Sequence, residues 1–240
     1  MLMSFMTEVL SSLASPVLMA LVARWKWPRI LQKLSGSSLF RHGVKYCYSC
    51  QADAVNDIVH DLKASRTVRI LCFRGYAVVQ VDGPFYFVLR SQDKDIRVIL
   101  ADPGDNEGDN PEIERRGQES VGINPGDYRN DVWTAVTRLR KAVEQNNSQV
   151  SARLHRLPAL YRMYITDETA YVSFFEPKVS GSQLPILRIS SRSHIYTGMI
   201  RHFEQTWRIS RDINSLEFRP SIRHVGRAEG GCSRVQEPVA

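Results

Sequence analysis

Three side chains with chemistry to offer stand directly behind the short apolar runs of this chain. Arg74 follows residues 68–73, Asp102 follows residues 96–100, and His155 closes the run that starts at Val150. In an open α/β sheet, ligands bind beyond the carboxyl ends of the strands, so these three are candidates for one cleft. A guanidinium there holds an oxyanion, and a neutral imidazole takes or gives a proton near pH 7. Each also has an ordinary alternative: Arg74 solvates a turn, Asp102 caps a loop, His155 sits on an exposed strand face. The cysteines are less specific. Cys47 and Cys50 form one C-x-x-C, half of a zinc site with no second pair, and Cys72 lies inside an apolar strand. Reduced thiols are the simpler reading, and no metal is expected. No Gly-x-Gly-x-x-Gly follows the first strand and no Walker A sequence occurs, so no cofactor is expected either.

The elements that position these residues follow from periodicity. Residues 53–63 place Ala54, Ile58, Val59 and Leu62 on one helical face, with Asp53 as N-cap. Residues 68–73 and 96–100 read as buried strands, and 85–89 as a short helix. Residues 104–126, acidic and rich in Gly, Asn and Pro, read as a long loop. Residues 127–144 form an amphipathic helix with Val132, Ala135, Val136, Leu139 and Val143 inside. After a strand at 150–156, two β-prone runs at 161–166 and 170–175 flank Asp167-Glu168-Thr169, a hairpin signal. One more strand at 184–189 precedes a helix capped by Ser193, with Ile195, Met199, Ile200, Phe203 and Trp207 on one face. Strands alternating with helices, then a hairpin, predict an α/β fold with a mixed sheet flanked by helices.

The order R-x-Y-I-T-D-E-x-x-Y-V-S (from Arg162), P-I-L-R-I (from Pro185) and S-x-x-Y-x-x-x-x-x-x-F-E-x-x-W (from Ser193) resembles the C-terminal half of a phospholipase D-like domain. It is most similar to uncharacterised modules attached to some bacterial helix-turn-helix regulators, and the likeness spans about residues 53–210. Hydrolases of that family carry H-x-K-x-x-x-x-D, in which histidine attacks phosphorus and lysine holds the phosphate oxygens. With the aspartate at Asp167, the lysine position falls on Arg162 and the histidine position on Leu160. Arginine holds a phosphate, but leucine attacks nothing. None of the six histidines is followed by lysine two residues later. The resemblance thus implies the fold and leaves the activity in doubt, so no catalytic residue is assigned. Arg162 joins Arg74, Asp102 and His155 as a candidate ligand contact for a small or phosphate-bearing molecule, and Asp167 reads as a turn former.

Three functions fit: a non-catalytic sensing or signalling module, a phosphodiesterase whose nucleophile is His155 or His194, or a regulator's ligand domain without its DNA-binding part. The missing motif favours the first or third. A family whose enzymes carry two such halves implies a homodimer for a chain with room for one.

Charge is distributed unevenly. The net charge is +7, but residues 51–207 hold 20 basic and 20 acidic side chains, so the excess lies in the flanks. A neutral body argues against a nucleic-acid partner. Residues 1–23 carry Glu8 alone, with Ser4, Thr7, Glu8, Ser11, Ser12 and Ser15 on one narrow helical stripe. At about 1.5 Å per residue that segment reaches roughly 34 Å, the span of a bilayer core. Arg24-Trp25-Lys26-Trp27 behind it suits a membrane interface with the following chain cytoplasmic. The expectation is a hydrophobic helix at 1–34 that binds a membrane, a linker at 35–52, the α/β domain at 53–210, and a disordered tail at 211–240. Should the first helix pack into the core instead, the protein is simply cytoplasmic.

Overall fold

The structure is a computed structural model. It describes residues 43–215 apart from 82, 92, 106–107, 121–123 and 146–148. The chain runs β1 (Val44–Tyr48), α1 (Gln51–Ala64), β2 (Thr67–Leu71), α2 (Tyr76–Val79), α3 (Tyr86–Leu89) and β3 (Asp95–Ala101). There follow β4 (Gly104–Asp105), β5 (Gly108–Asp109), α4 (Pro111–Glu119), α5 (Pro125–Gln145), β6 (Val150–His155), β7 (Tyr161–Ile165) and β8 (Thr169–Phe174). The last elements are β9 (Ile186–Ser190), α6 (His194–Ile209) and β10 (Arg211–Asp212). Eight strands form one sheet in the order β1-β9-β8-β7-β2-β3-β6-β10, while β4 and β5 make a separate two-stranded ribbon. The neighbours β2, β3 and β6 are parallel, and every other pairing in the sheet is antiparallel. The expected mixed α/β sheet flanked by helices is what the chain forms.

Strand alternation sends side chains to two cores. On one face, Val68, Ile70, Ile96, Val98, Leu100 and Val150 pack with Ile58 and Leu62 of α1 and Val132, Val136 and Leu139 of α5. On the other, Leu71, Ile99, Met163, Ile165, Val172 and Ile189 receive α6 through Met199, Ile200, Phe203 and Trp207. Each fully buried aliphatic or aromatic side chain contributes about 1.5–3 kcal/mol of transfer free energy. Polar contacts fix the register of α6: Ser193 caps it, accepting from Tyr196 N at 3.1 Å, and Arg153 of β6 donates to the Trp207 carbonyl at 2.7 Å. The hairpin β7–β8 forms as expected, pairing Tyr161 with Phe174 and Ile165 with Ala170. Its Asp167 turns the chain and also accepts from Arg66 N at 2.8 Å and Thr67 N at 3.3 Å, seating the start of β2.

Three stretches expected to lack regular structure carry it. The linker at 35–52 contributes β1, which pairs with β9 at the sheet edge, and the first residues of α1, whose N-cap is Cys50 rather than Asp53. Only Val44 and Tyr48 of β1 are buried, too short an alternation to be conspicuous. The loop at 104–126 holds α4, started by the Asn110 side chain, which accepts from Glu112 N at 3.1 Å, and by Pro111 behind it. The tail at 211–240 begins with β10, paired with β6, and a buried Ile213. The expectations for 1–34, for the rest of the linker before residue 43 and for the tail beyond 215 lie outside the described residues. Among the described residues no helix is long and apolar enough to cross a membrane.

Candidate functional site

Because β2, β3 and β6 are parallel, their carboxyl ends share one edge of the sheet, and β7, antiparallel to β2, starts there. Pairing of Leu71 with Met163 brings Arg162 beside Cys72. All four candidate residues therefore reach the same edge, but only two of them share a cavity.

Arg74 and Arg162 line a cavity of about 110 Å3 on the face that carries α4 and α5. Its walls also include Cys72 just past β2, Tyr164 from β7, Arg116 from α4, Tyr128 from α5 and Gly181 from the connection between β8 and β9. Arg74 can point there because Gly75 turns the chain at φ +71°, and an added Cβ would lie 2.6 Å from Leu100. Arg162 is 9% exposed. Its Nη1 donates to Gln51 Oε1 and its Nη2 to the Gly181 carbonyl, both at 2.7 Å. Both acceptors are neutral. Arg116 is buried too, donates to Glu119 at 3.1 Å and lies 4.8 Å over the Phe175 ring. The Nε atoms of Arg116 and Arg162 are buried without an acceptor among the described residues. Arg74 meets Asp131 at 3.4 Å and stacks its guanidinium near the Tyr76 and Tyr128 rings. Burial pushes the Cys72 thiol and the Tyr164 phenol up to about 12 each, although the Arg162 charge draws both down. Both stay protonated at neutral pH, so neither adds negative charge to the cavity.

Asp102 and His155 do other work. Asp102 is buried and saturated: it accepts from Gly104 N at 2.9 Å, Arg211 at 2.6 Å and Arg156 at 3.2 Å, while its own carbonyl holds Asn110 at 2.9 Å. It ties the end of β3 to the β4–β5 ribbon, to β10 and to the loop after β6, the loop-capping alternative in expanded form. His155 Nδ1 accepts from Leu157 N at 3.1 Å, and its ring meets Phe73 edge-on. Burial pulls its pKa from 6.5 to about 4, against the opposing pull of Asp102, so the ring is neutral. Neither residue lines the cavity. Leu160 is 49% exposed.

Arg116 and Tyr128 are the site residues that sequence reasoning did not assign. A larger depression of about 410 Å3 lies at the far edge of the sheet, lined by Lys45, Tyr46, Asp53, Asp57 and Arg188 among others. Its arginine is already matched by Asp57 at 3.3 Å and Asp61 at 2.8 Å. The smaller cavity is the candidate because one of its guanidinium groups, Arg162, meets no carboxylate among the described residues. Among the described residues no group of three or more His, Cys, Asp or Glu side chains is placed to hold a metal ion.

No family model matches the chain, and no curated protein matches it. Solved structures overlay it loosely. TrmBL2, an archaeal chromatin protein, is 10% identical over 88% of this chain and 69% of its own, with a TM-score of 0.44. Nuc of Salmonella typhimurium, a phospholipase D family member, is 10% identical over 70% of this chain and 97% of its own, with a TM-score of 0.45. NucT from Helicobacter pylori is 11% identical over 68% and 92%, with a TM-score of 0.39. With TM-scores below 0.5 these are loose likenesses, and the functional reading rests on the site itself.

Proposed function

We propose that this chain is a non-catalytic, phospholipase D-like sensing module that holds its ligand by a phosphate or similar oxyanion between Arg74, Arg116 and Arg162. One observation carries the reading: Arg162 is a buried guanidinium that no carboxylate reaches among the described residues. Leaving a buried charge without a counter-charge costs several kcal/mol, which a bound anion offsets. Charge-assisted hydrogen bonds from an arginine fork are about twice as strong as neutral ones, so an oxyanion displaces Gln51 and Gly181 readily. Catalysis is a different matter. Leu160 aligns with the attacking histidine of the motif that the sequence resembles, and His155 is neutral, buried and away from the cavity.

The test pairs binding with turnover. Purified protein is titrated calorimetrically at low salt with a panel of organic phosphates, diphosphates and nucleotides, and incubated with bis-p-nitrophenyl phosphate. At least one phosphate compound binds with a single site and loses its affinity in Arg162→Gln, and the reporter is not hydrolysed. Hydrolysis that disappears in His155→Ala or His194→Ala overturns the reading in favour of a phosphodiesterase. Silence across the whole panel overturns it as well.

A further inference from the structure

Size and charge of the cavity narrow the ligand further. The cavity has a volume of about 110 Å3. Sites that enclose a whole organic ligand run to about 300–1,000 Å3. One small polyoxygen group fits. Its surroundings are cationic: the walls include three guanidinium groups, and none of the lining residues is a carboxylate. The acids that touch those arginines stand outside. Asp131 meets Arg74 at 3.4 Å, and Glu119 is shared between Arg116 at 3.1 Å and Arg115 at 2.6 Å, so its charge is divided.

The chain after β8 closes one side. Phe175 lies under Arg116, the Gly181 carbonyl is held by Arg162, and a Cβ built on Gly181 would stand 3.8 Å from Arg162 Nη1. A phosphodiester brings two ester arms and a single negative charge to such a space. A phosphate monoester brings one arm, three terminal oxygens and a charge approaching two. With the guanidinium donors standing on separate walls, α4, β7 and the turn after β2, the group that engages all three is the one with three free oxygens.

We infer that the cavity selects a terminal phosphate, from a monoester or as free phosphate, in its dianionic form, and discriminates against phosphodiesters. This rests on the oxyanion-binding reading of the same site. The selectivity belongs to the arrangement of Arg74, Arg116 and Arg162 rather than to any nucleophile.

The experiment titrates the full chain with inorganic phosphate, methyl phosphate, dimethyl phosphate and sulfate at matched ionic strength. Phosphate, methyl phosphate and sulfate are expected to bind at least tenfold tighter than dimethyl phosphate. Methyl phosphate, whose second pKa is about 6, gains about fourfold in affinity between pH 5.5 and 7.5, whereas sulfate, a dianion throughout, stays within twofold. Arg162→Gln abolishes the binding. Arg74, with 35% of its side chain exposed, supplies a second variant that keeps the fold: Arg74→Gln weakens methyl phosphate more than dimethyl phosphate. Dimethyl phosphate binding as tightly as methyl phosphate overturns the selectivity and leaves the oxyanion site standing. Binding that is indifferent to Arg74→Gln overturns the assignment to this cavity, and no binding by any of the four overturns the selectivity together with the reading beneath it.

Discussion

Asp102 and Arg162 are both buried at the same sheet edge and differ in what satisfies them. Asp102 has three donors, two of them arginines, so removing it strands buried groups: Asp102→Ala is expected to cost about 3 kcal/mol. Urea denaturation measures this, and methyl phosphate affinity per folded molecule stays as in the parent chain, because Asp102 does not line the cavity. A large affinity loss without destabilisation would return Asp102 to the ligand site. His155 gives a pH dependence whose sign follows from burial. Its folded pKa lies at about 4 against 6.5, so the unfolded chain binds the proton more readily. Its stabilising contribution is whole above pH 6.5 and is lost as pH falls toward 4, on the order of 3 kcal/mol in full. Burial lowers His202 as well, in the same sense. Urea midpoints of the parent chain and of His155→Gln should converge as pH drops from 7.5 to 4.5. Parallel curves would mean that His155 is not buried neutral.

At the scale of elements, α4 joins the fold to the site. Nine residues with one apolar contact, Ile113, hold Arg116 on the cavity wall. Asn110 bridges the helix start and the Asp102 carbonyl with its one side chain. Asn110→Ala removes the cap and is expected to destabilise the protein by about 1–2 kcal/mol, and to weaken methyl phosphate binding several-fold as Arg116 loses its support. Unchanged affinity in the folded variant would show that α4 needs no cap to place Arg116. The same helix shows where sequence reading stops. The elements around β7, β8 and α6 were legible because alternation in 161–174 and the 3.6-residue spacing of Ile195, Met199, Phe203 and Trp207 state which face is buried. The helix α4 buries a guanidinium and a glycine beside its isoleucine, and its acidic, Gly-rich approach reads as loop. Legibility of the site failed for a related reason. Strand-end position found Arg74 and the motif alignment found Arg162, but strand-end position also found Asp102 and His155, since position along a strand does not say what a residue at or beyond its end will pack against. Arg116 and Tyr128 come from helices packed above that edge, a relation that spacing along the chain does not encode.

At the scale of the whole molecule, the domain has a neutral body and basic flanks, and the flank at 1–34 is the part with a membrane-like composition. Residues 51–207 balance 20 basic against 20 acidic side chains, while residues 1–50 hold six basic ones against Glu8. We propose that residues 1–34 bring the domain to an anionic membrane surface, with the cavity on the cytoplasmic side. Glu8 is the only acid in the first 23 residues, and Arg24, Trp25, Lys26, Trp27 and Arg29 follow within one short stretch. Tryptophan and basic side chains both favour the headgroup region, and each basic residue near an anionic leaflet adds about 1 kcal/mol. Glu8 and the hydroxyl stripe weaken a solitary spanning helix and suit one that lies in the interface or pairs with a copy. The prediction is that full-length protein floats with vesicles of phosphatidylcholine and phosphatidylserine, less so with phosphatidylcholine alone, and that a chain lacking residues 1–34 stays in solution with its methyl phosphate affinity intact. The competing placement, a helix packed into the domain's own core, predicts the opposite pair of results. In that case the full chain ignores the vesicles, and deleting residues 1–34 lowers the melting temperature and the affinity together.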